Sequence, residues 1–565
     1  MRKVVRRIVR SGSPGADERP AHRRRLLALA VGLALVAALP LIVAAGLPPT
    51  ITSFSPGVGP TGITVTIHGT RLTATRSVGF NGVSASFQVV SNRELTAVVP
   101  ETATTGPITV TKPAGSAVSS EDFHVQPNIV LILTDDQRYD ELSMPTVQSQ
   151  LIDKGTTFTN GFVVDPLCCP SRTAILTGKY SHSTDIYDNR PPHGGFQTFH
   201  ADGEESSTIA TWLHDAGYHT GLVGKYLNGY FPSDASYIPP GWDSWEAQLI
   251  DNKESGLYHN YYMSDQGNLI FHGNTDADYS TDVLNGYATQ FIQNAPANQP
   301  LFLYYAPVAP HLVAPPPRRY RHAFPDLQPL RPPSYNEADV SDKPQYIQDT
   351  PPLSPDEQAR RDTLRLHQYQ SLLAVDDGVK AILDELQADG RLGSTLIMYA
   401  SDNGLNMGEH RWTDKKVPYE ESIRVPMIVR YDPITQQTAS TNSRFLLNVD
   451  FAPTFAAAAG VASPGAEGAN FLPLLAGNAS GWRTDFLIEH ANATKVVVPP
   501  YCAVRNTNWI YVEYSTGEQE LYDLVNDPYE LQNLAGDPAY SSRQASMHAR
   551  MLQLCNPPPP GFTPT

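Results

Sequence analysis

The run NIVLILT at residues 128–134 is apolar along nearly its whole length and is followed at once by Asp135-Asp136. A strand with no polar face has no side to turn toward water, so it belongs in the middle of a sheet covered on both faces, the situation of parallel α/β sheets. Residues 219–223, 301–305 and 395–400 repeat the pattern, while residues 208–216 and 364–386 carry helical periodicity, the second stopping at Asp389-Gly390. The alternation predicts an α/β domain with a mainly parallel central sheet over residues 126–485. Short runs at 496–498, 509–514 and 521–524 predict a small C-terminal antiparallel sheet and tail over residues 486–565. Proline-rich stretches around 315–317, 332–333 and 351–355 read as surface loops.

The first part of the chain has a different character. Residues 47–125 hold short alternating runs such as ITVTI (63–67), separated by Gly/Pro/Asn signals including Asn81-Gly82. That pattern predicts an all-β sandwich, and PPTITSFSPGVGPTGITVTIHGTRL with ELTAVVPETATTGPITVTKPAG resembles an immunoglobulin-like IPT/TIG domain, a family of spacers and binding modules. Before it, residues 1–25 carry nine Arg/Lys against Asp17 and Glu18. They lead into the uncharged 21-residue stretch LLALAVGLALVAALPLIVAAG at 26–46. That order predicts an export signal or signal anchor over residues 1–46, and so a chain secreted or held at the cell surface. The formal charge is −16 overall, and setting aside the +7 of residues 1–25 leaves −23 for the rest. A body this acidic is no nucleic-acid tracker. If its substrate is an anion, positive charge must be gathered locally in a pocket. Of the four cysteines, Cys502 and Cys555 are free to pair, whereas the adjacent Cys168-Cys169 suits neither an ordinary disulfide nor a zinc site.

In open α/β sheets ligands collect beyond the carboxyl ends of strands, and here those ends are polar. Asp135-Asp136 and Asp402-Asn403 follow two strands, His311 follows a third, and Lys225 closes a fourth. The acidic ends supply only oxygen ligands, which suits a hard cation such as Ca²⁺ or Mg²⁺. Residues 167–180, LCCPSRTAILTGKY, contain Cys168-x-Pro170-x-Arg172. With PNIVLILTDDQ upstream, SDNG…GEH downstream and the late YDLVNDPYELQNLA, the chain resembles the type I, formylglycine-dependent sulfatases over about residues 126–540. CCPSR, TGKYSH, GKYLNGY, APVAPH and LLAVDD bring it nearest the N-acetylglucosamine-6-sulfatases and the extracellular heparan-sulfate 6-O-endosulfatases.

The resemblance implies an alkaline-phosphatase-like domain and an exported enzyme that hydrolyses a sulfate monoester of a sugar, such as N-acetylglucosamine-6-sulfate. It implies that a formylglycine-generating enzyme oxidises Cys168. Asp135, Asp136, Asp402, Asn403 and the modified Cys168 would hold one Ca²⁺, with Arg172, Lys225, His311 and Lys415 around the sulfate. Lys415 is assigned through its spacing to Tyr419-Glu420. The implied nucleophile is the hydrated aldehyde, His311 is the implied proton donor to the leaving oxygen, and a helix begun at Pro170 would turn Arg172 back toward residue 168. In place of the GKWH of many sulfatases this chain has Gly224-Lys225-Tyr226-Leu227, a subfamily mark. His182 and His410 are candidates for substrate contact or support. Two other readings stay open: a phosphate or phosphonate ester hydrolase of the same superfamily, and a non-catalytic surface protein that binds glycans.

Overall fold

A computed structural model describes residues 46–250, 256–491 and 497–564. A ten-stranded mixed sheet organises the centre, in the order Asn268–His272, Tyr261–Asp265, Ser244–Leu249, His219–Lys225, Leu301–Ala306, Asn128–Thr134, Thr395–Ser401, Met427–Arg430, Thr156–Phe162, Ser440–Leu447. The five strands from Ser244–Leu249 to Thr395–Ser401 run parallel. Antiparallel pairs flank them on both sides.

Successive side chains of a strand point to opposite faces, and the apolar runs supply both. Ile129, Leu131 and Leu133 join Phe302, Tyr304, Leu396 and Met398 in one core, which takes in the helices Ile209–Asp215 and Phe451–Ala459. Val130 and Ile132 join Leu303, Tyr305, Ile397 and Tyr399 in the other, beneath the helices Ser280–Asn294 and Pro355–Ala388. The last of these starts nine residues before the predicted 364, with Ser354 and Glu357 forming a capping box and Pro355 in the first turn. Its opening segment PDEQARRDT is polar, so hydrophobic periodicity registers only once the helix reaches the sheet.

The N-terminal sandwich packs a four-stranded sheet on a five-stranded one. Strand Thr64–Thr70 alternates inward Val65 and Ile67 with outward polar residues, and Phe80 meets Phe123 edge-on at 5.3 Å. It abuts the α/β domain through Gln126 Nε2, which donates to Ala216 O at 3.2 Å and Ala459 O at 3.4 Å. Gly393 N also donates to Glu101 Oε1 at 3.2 Å.

At the other end, strands Asp485–His490, Tyr501–Asn506, Trp509–Tyr514 and Gln519–Asp523 form an antiparallel sheet in sequence order. The strand predicted at 496–498 is replaced by Tyr501–Asn506; residues 497–500 are loop and residue 496 lies outside the described residues. A disulfide joins Cys502 to Cys555, tying the helix Ser541–Leu554 to this sheet.

The expectation of a secreted or membrane-anchored chain is corrected. Among the described residues no helix is long and apolar enough to cross a membrane, and the apolar stretch at 26–45 lies outside the described residues.

Candidate active site

Four adjacent parallel strands deliver the polar residues to one spot. Thr134 is in register with Ser401, so Asp135-Asp136 and Asp402-Asn403 leave the sheet side by side, and Asp402 N donates to Thr134 O at 3.0 Å. Lys225 ends the strand two places over, and His311 follows Leu301–Ala306 between them. Asp136 takes a left-handed turn at φ 63, a conformation Asp tolerates. Its backbone N–H donates to Asp402 Oδ1 at 3.2 Å.

Opposite these strand ends stands the helix Cys168–Thr177, buried along its whole length and two residues longer at its start than the predicted helix from Pro170. Cys168 is therefore its first residue, at the end where free backbone N–H groups favour negative charge. Cys169 N donates to Asn189 Oδ1 at 2.9 Å. One turn on, Arg172 donates from Nε to Asp402 Oδ2 and from Nη1 to the Lys225 carbonyl, both at 2.8 Å, and Nη2 lies 3.5 Å from Asp135 Oδ2.

Lys225 Nζ is 2.5 Å from Asp135 Oδ2. Lys415 Nζ donates to Asp136 Oδ1 and reaches Cys168 Sγ at 2.8 Å. His311 Nε2 is 3.5 Å from Asp136 Oδ2, and its Nδ1 lies 2.8 Å from Leu312 O. All nine candidate residues thus converge. Asp135, Lys225, His311 and Lys415 line a cleft of about 900 Å³, together with Asn189, Arg190, Asn228 and Phe231. Arg172 lies beneath the floor, fully buried, and does not line the cleft.

Charge explains the electrostatics. Burial alone would raise the Asp135 carboxyl, but Lys225, His311 and Arg172 hold it well below the usual carboxylate range. Burial pushes the Cys168 thiol up to about 11, against the pull of Lys225 and Lys415. As a plain cysteine it is protonated at neutral pH and a weak nucleophile. The oxygens that Asp135, Asp136, Asp402 and Asn403 bring together also fit a hard cation. Asp135, Asp136, Cys168 and His311 bring ligand atoms within 4.8 Å of one another. Asp136 Oδ2 and Asn403 Oδ1 are buried without hydrogen-bond partners among the described residues, a costly state that an ion would relieve.

His182 and His410 do not line the cleft. His182 Nδ1 lies 2.9 Å from Glu489 Oε1, and with Glu467 this raises the imidazole to about 10 despite its burial. His410 Nδ1 lies 2.7 Å from Glu337 Oε2. Sequence reasoning missed Asn189, which anchors the helix start from a loop with no motif. It also missed Arg138, whose Nη1 donates to Leu405 O at 2.7 Å and pairs with Glu409 at 3.1 Å, fixing the loop after Asn403.

A parallel core with a buried cysteine at a helix start, ringed by cations and oxygen donors at the strand ends, accompanies an alkaline-phosphatase-like fold. The chain belongs to the sulfatase family, a family of sulfuric ester hydrolases: residues 127–461 match the Sulfatase family model. Residues 408–556 match the N-sulphoglucosamine sulphohydrolase C-terminal model, and residues 49–125 the IPT/TIG domain. It is similar to the N-acetylglucosamine-6-sulfatase of Capra hircus, 31% identical over 480 residues that cover 77% of this chain and 84% of the relative. It is also similar to the extracellular sulfatase SULF-1 homolog of Drosophila melanogaster, 34% identical over 64% of this chain. The chain spans 33% of that relative's length, and 53% of the length of its Caenorhabditis elegans counterpart. A solved structure in complex with its substrate D-glucosamine-2-N,6-O-disulfate shares the fold, with a TM-score of 0.65 and 24% identity over 76% of this chain and 98% of that one. So does the phosphonate monoester hydrolase of Agrobacterium radiobacter, with a TM-score of 0.60 and 20% identity over 76% and 96%.

Proposed function

We propose that this protein hydrolyses a sulfate monoester, with a sugar 6-O-sulfate such as N-acetylglucosamine-6-sulfate as its substrate class, and that a formylglycine-generating enzyme matures Cys168. The observation that carries this reading is Lys415 Nζ reaching both Cys168 Sγ at 2.8 Å and Asp136 beside a cleft lined by Lys225 and His311. The likeness to N-acetylglucosamine-6-sulfatases over 77% of the chain supports the choice of sugar. Asp135, Asp136, Asp402, Asn403 and residue 168 would hold one Ca²⁺, the choice an oxygen-rich donor set favours. Bound there, the ion would supply positive charge that lowers the pKa of an oxygen nucleophile, and formylglycine at 168 would supply that oxygen.

The chain's own residues do the rest. Lys225 and Lys415 offer two ammonium groups to the anionic oxygens of the ester, charge gathered in an otherwise acidic protein and worth most where water is excluded. His311, with Nε2 toward the cleft and Nδ1 against the Leu312 carbonyl, carries the proton for the departing sugar oxygen. Arg172 is a positioning residue: it ties Asp402 to the Lys225 backbone and so fixes both walls of the site.

The test is the ratio of kcat/KM on N-acetylglucosamine-6-sulfate and N-acetylglucosamine-6-phosphate, measured on protein co-expressed with a formylglycine-generating enzyme. The sulfate is expected to be preferred. A phosphate preference overturns the reading in favour of a phosphate or phosphonate ester hydrolase, and inertness on every ester favours a glycan-binding protein.

A further inference from the structure

A second cluster of ligand atoms lies outside the cleft. His410, Glu421 and Glu530 bring one ligand atom each within 4.8 Å of one another, and their exposures are 1%, 7% and 2%. They come from three segments: the loop after Asn403, the short helix Glu420–Ile423, and the loop following strand Gln519–Asp523. Glu421 Oε2 and Glu530 Oε1 are buried without a hydrogen-bond partner among the described residues. The other Glu530 oxygen accepts from Glu420 N at 3.2 Å.

The surrounding cations are committed elsewhere. Arg138 pairs with Glu409 at 3.1 Å, Arg505 with Glu420 at 2.7 Å, and Lys343 lies 3.6 Å from Glu337. Glu421 and Glu530 make no ion pair among the described residues, and each leaves one buried oxygen without a hydrogen-bond partner, an arrangement that a bound cation would satisfy. Meanwhile Glu337 Oε2 holds His410 Nδ1 at 2.7 Å. A carboxylate on one ring nitrogen is the usual outer partner of a metal-bound histidine, fixing the tautomer that leaves the other nitrogen to bind.

We propose that His410, Glu421 and Glu530 form a second metal site, separate from the cleft, which takes a divalent transition-metal ion of the zinc type. One imidazole with two carboxylates suits such an ion. Bonds of about 2 Å in tetrahedral geometry set ligand atoms about 3.3 Å apart, so a bound ion draws together atoms that lie within 4.8 Å of one another. The bound ion fastens the C-terminal subdomain, through Glu530, to the 410–421 segment that carries Lys415. Its role is structural and does not depend on which ester is cleaved.

The test uses the full chain incubated with two equivalents of zinc and then desalted. Elemental analysis is expected to find about one tightly held zinc per wild-type chain, with a melting temperature several degrees above that of the chelator-treated protein. Glu421→Gln/Glu530→Gln is expected to lose at least tenfold in retained zinc and to lose the thermal shift, while the cleft variant Asp136→Asn keeps both. No zinc on the wild-type chain, equal zinc on the double variant, or loss only in Asp136→Asn overturns the proposal. Should the double variant fail to fold, X-ray absorption on the wild-type zinc form decides: one imidazole with oxygen neighbours supports the site, and sulfur or several imidazoles overturn it.

Discussion

Asp135, on the cleft floor, and Glu141, six residues later, are both buried, yet their carboxyls are driven in opposite directions. Lys225, His311 and Arg172 hold Asp135 low against its desolvation. Glu141 has neither oxygen hydrogen-bonded, and burial beside Asp140 pushes it up to about 8. Burial, with Glu409 nearby, raises Glu421 to about 7. Burial therefore does not fix the charge of an acid in this fold; the number of cations aimed at it does. The cleft aims Lys225, His311 and Arg172 at Asp135 and keeps it ionised, whereas Glu141 makes no ion pair among the described residues.

The largest break in that contrast removes the group the cations surround. Cys168→Ala is expected to lower sulfate release at least about a thousandfold with circular dichroism and melting unchanged, since only a small side chain is lost. Lys415→Ala should cost about a hundredfold or more in kcat/KM, as loss of a preorganised charge does; an effect confined to KM would mean that Lys415 only gathers substrate. Asp402→Asn leaves the Arg172 guanidinium without the carboxylate that holds its Nε, and urea denaturation should report a loss of about 3–5 kcal/mol, as for a broken buried pair.

A finer test concerns the uncompensated acid. Glu141 has a folded pKa raised from 4.5 to about 8. Its neutral form is the one the fold prefers, so its contribution is complete below pH 4.5 and is lost as pH rises through 8. Wild-type stability should fall across that window by an amount on the order of a few kcal/mol, and Glu141→Gln should flatten the slope. Smallest is the sandwich junction: Glu101→Ala removes one exposed acceptor for Gly393 N and should shift stability by less than about 0.5 kcal/mol.

Much of this contrast was legible in the sequence. The apolar runs ending in Asp135, Asp402 and Lys225 announced both the strands and the acids and base they deliver, because a parallel sheet puts all its carboxyl ends on one side. Motif spacing singled out Cys168 and Lys415, which the fold brings to 2.8 Å of each other. What could not be read was which partner each charge would choose. The resemblance put Arg172 around the sulfate, but its partners beneath the floor, Asp402 and the Lys225 carbonyl, could not be read from the sequence because strand register brings them together. Asn189 sits in a loop with no periodicity and shows its role only when it meets Cys169 N. The antiparallel flanks of the sheet were equally hidden, since Asn268–His272 is exposed along nearly its whole length and carries no inward pattern.

The central claim is that the buried, protonated thiol of Cys168 is the precursor of the nucleophile. Peptide mass spectrometry across residues 161–172, on active protein from its native host, tests it most directly. Aldehyde at Cys168, in a fraction that tracks specific activity, is the predicted result; unmodified thiol throughout fully active material would contradict the account.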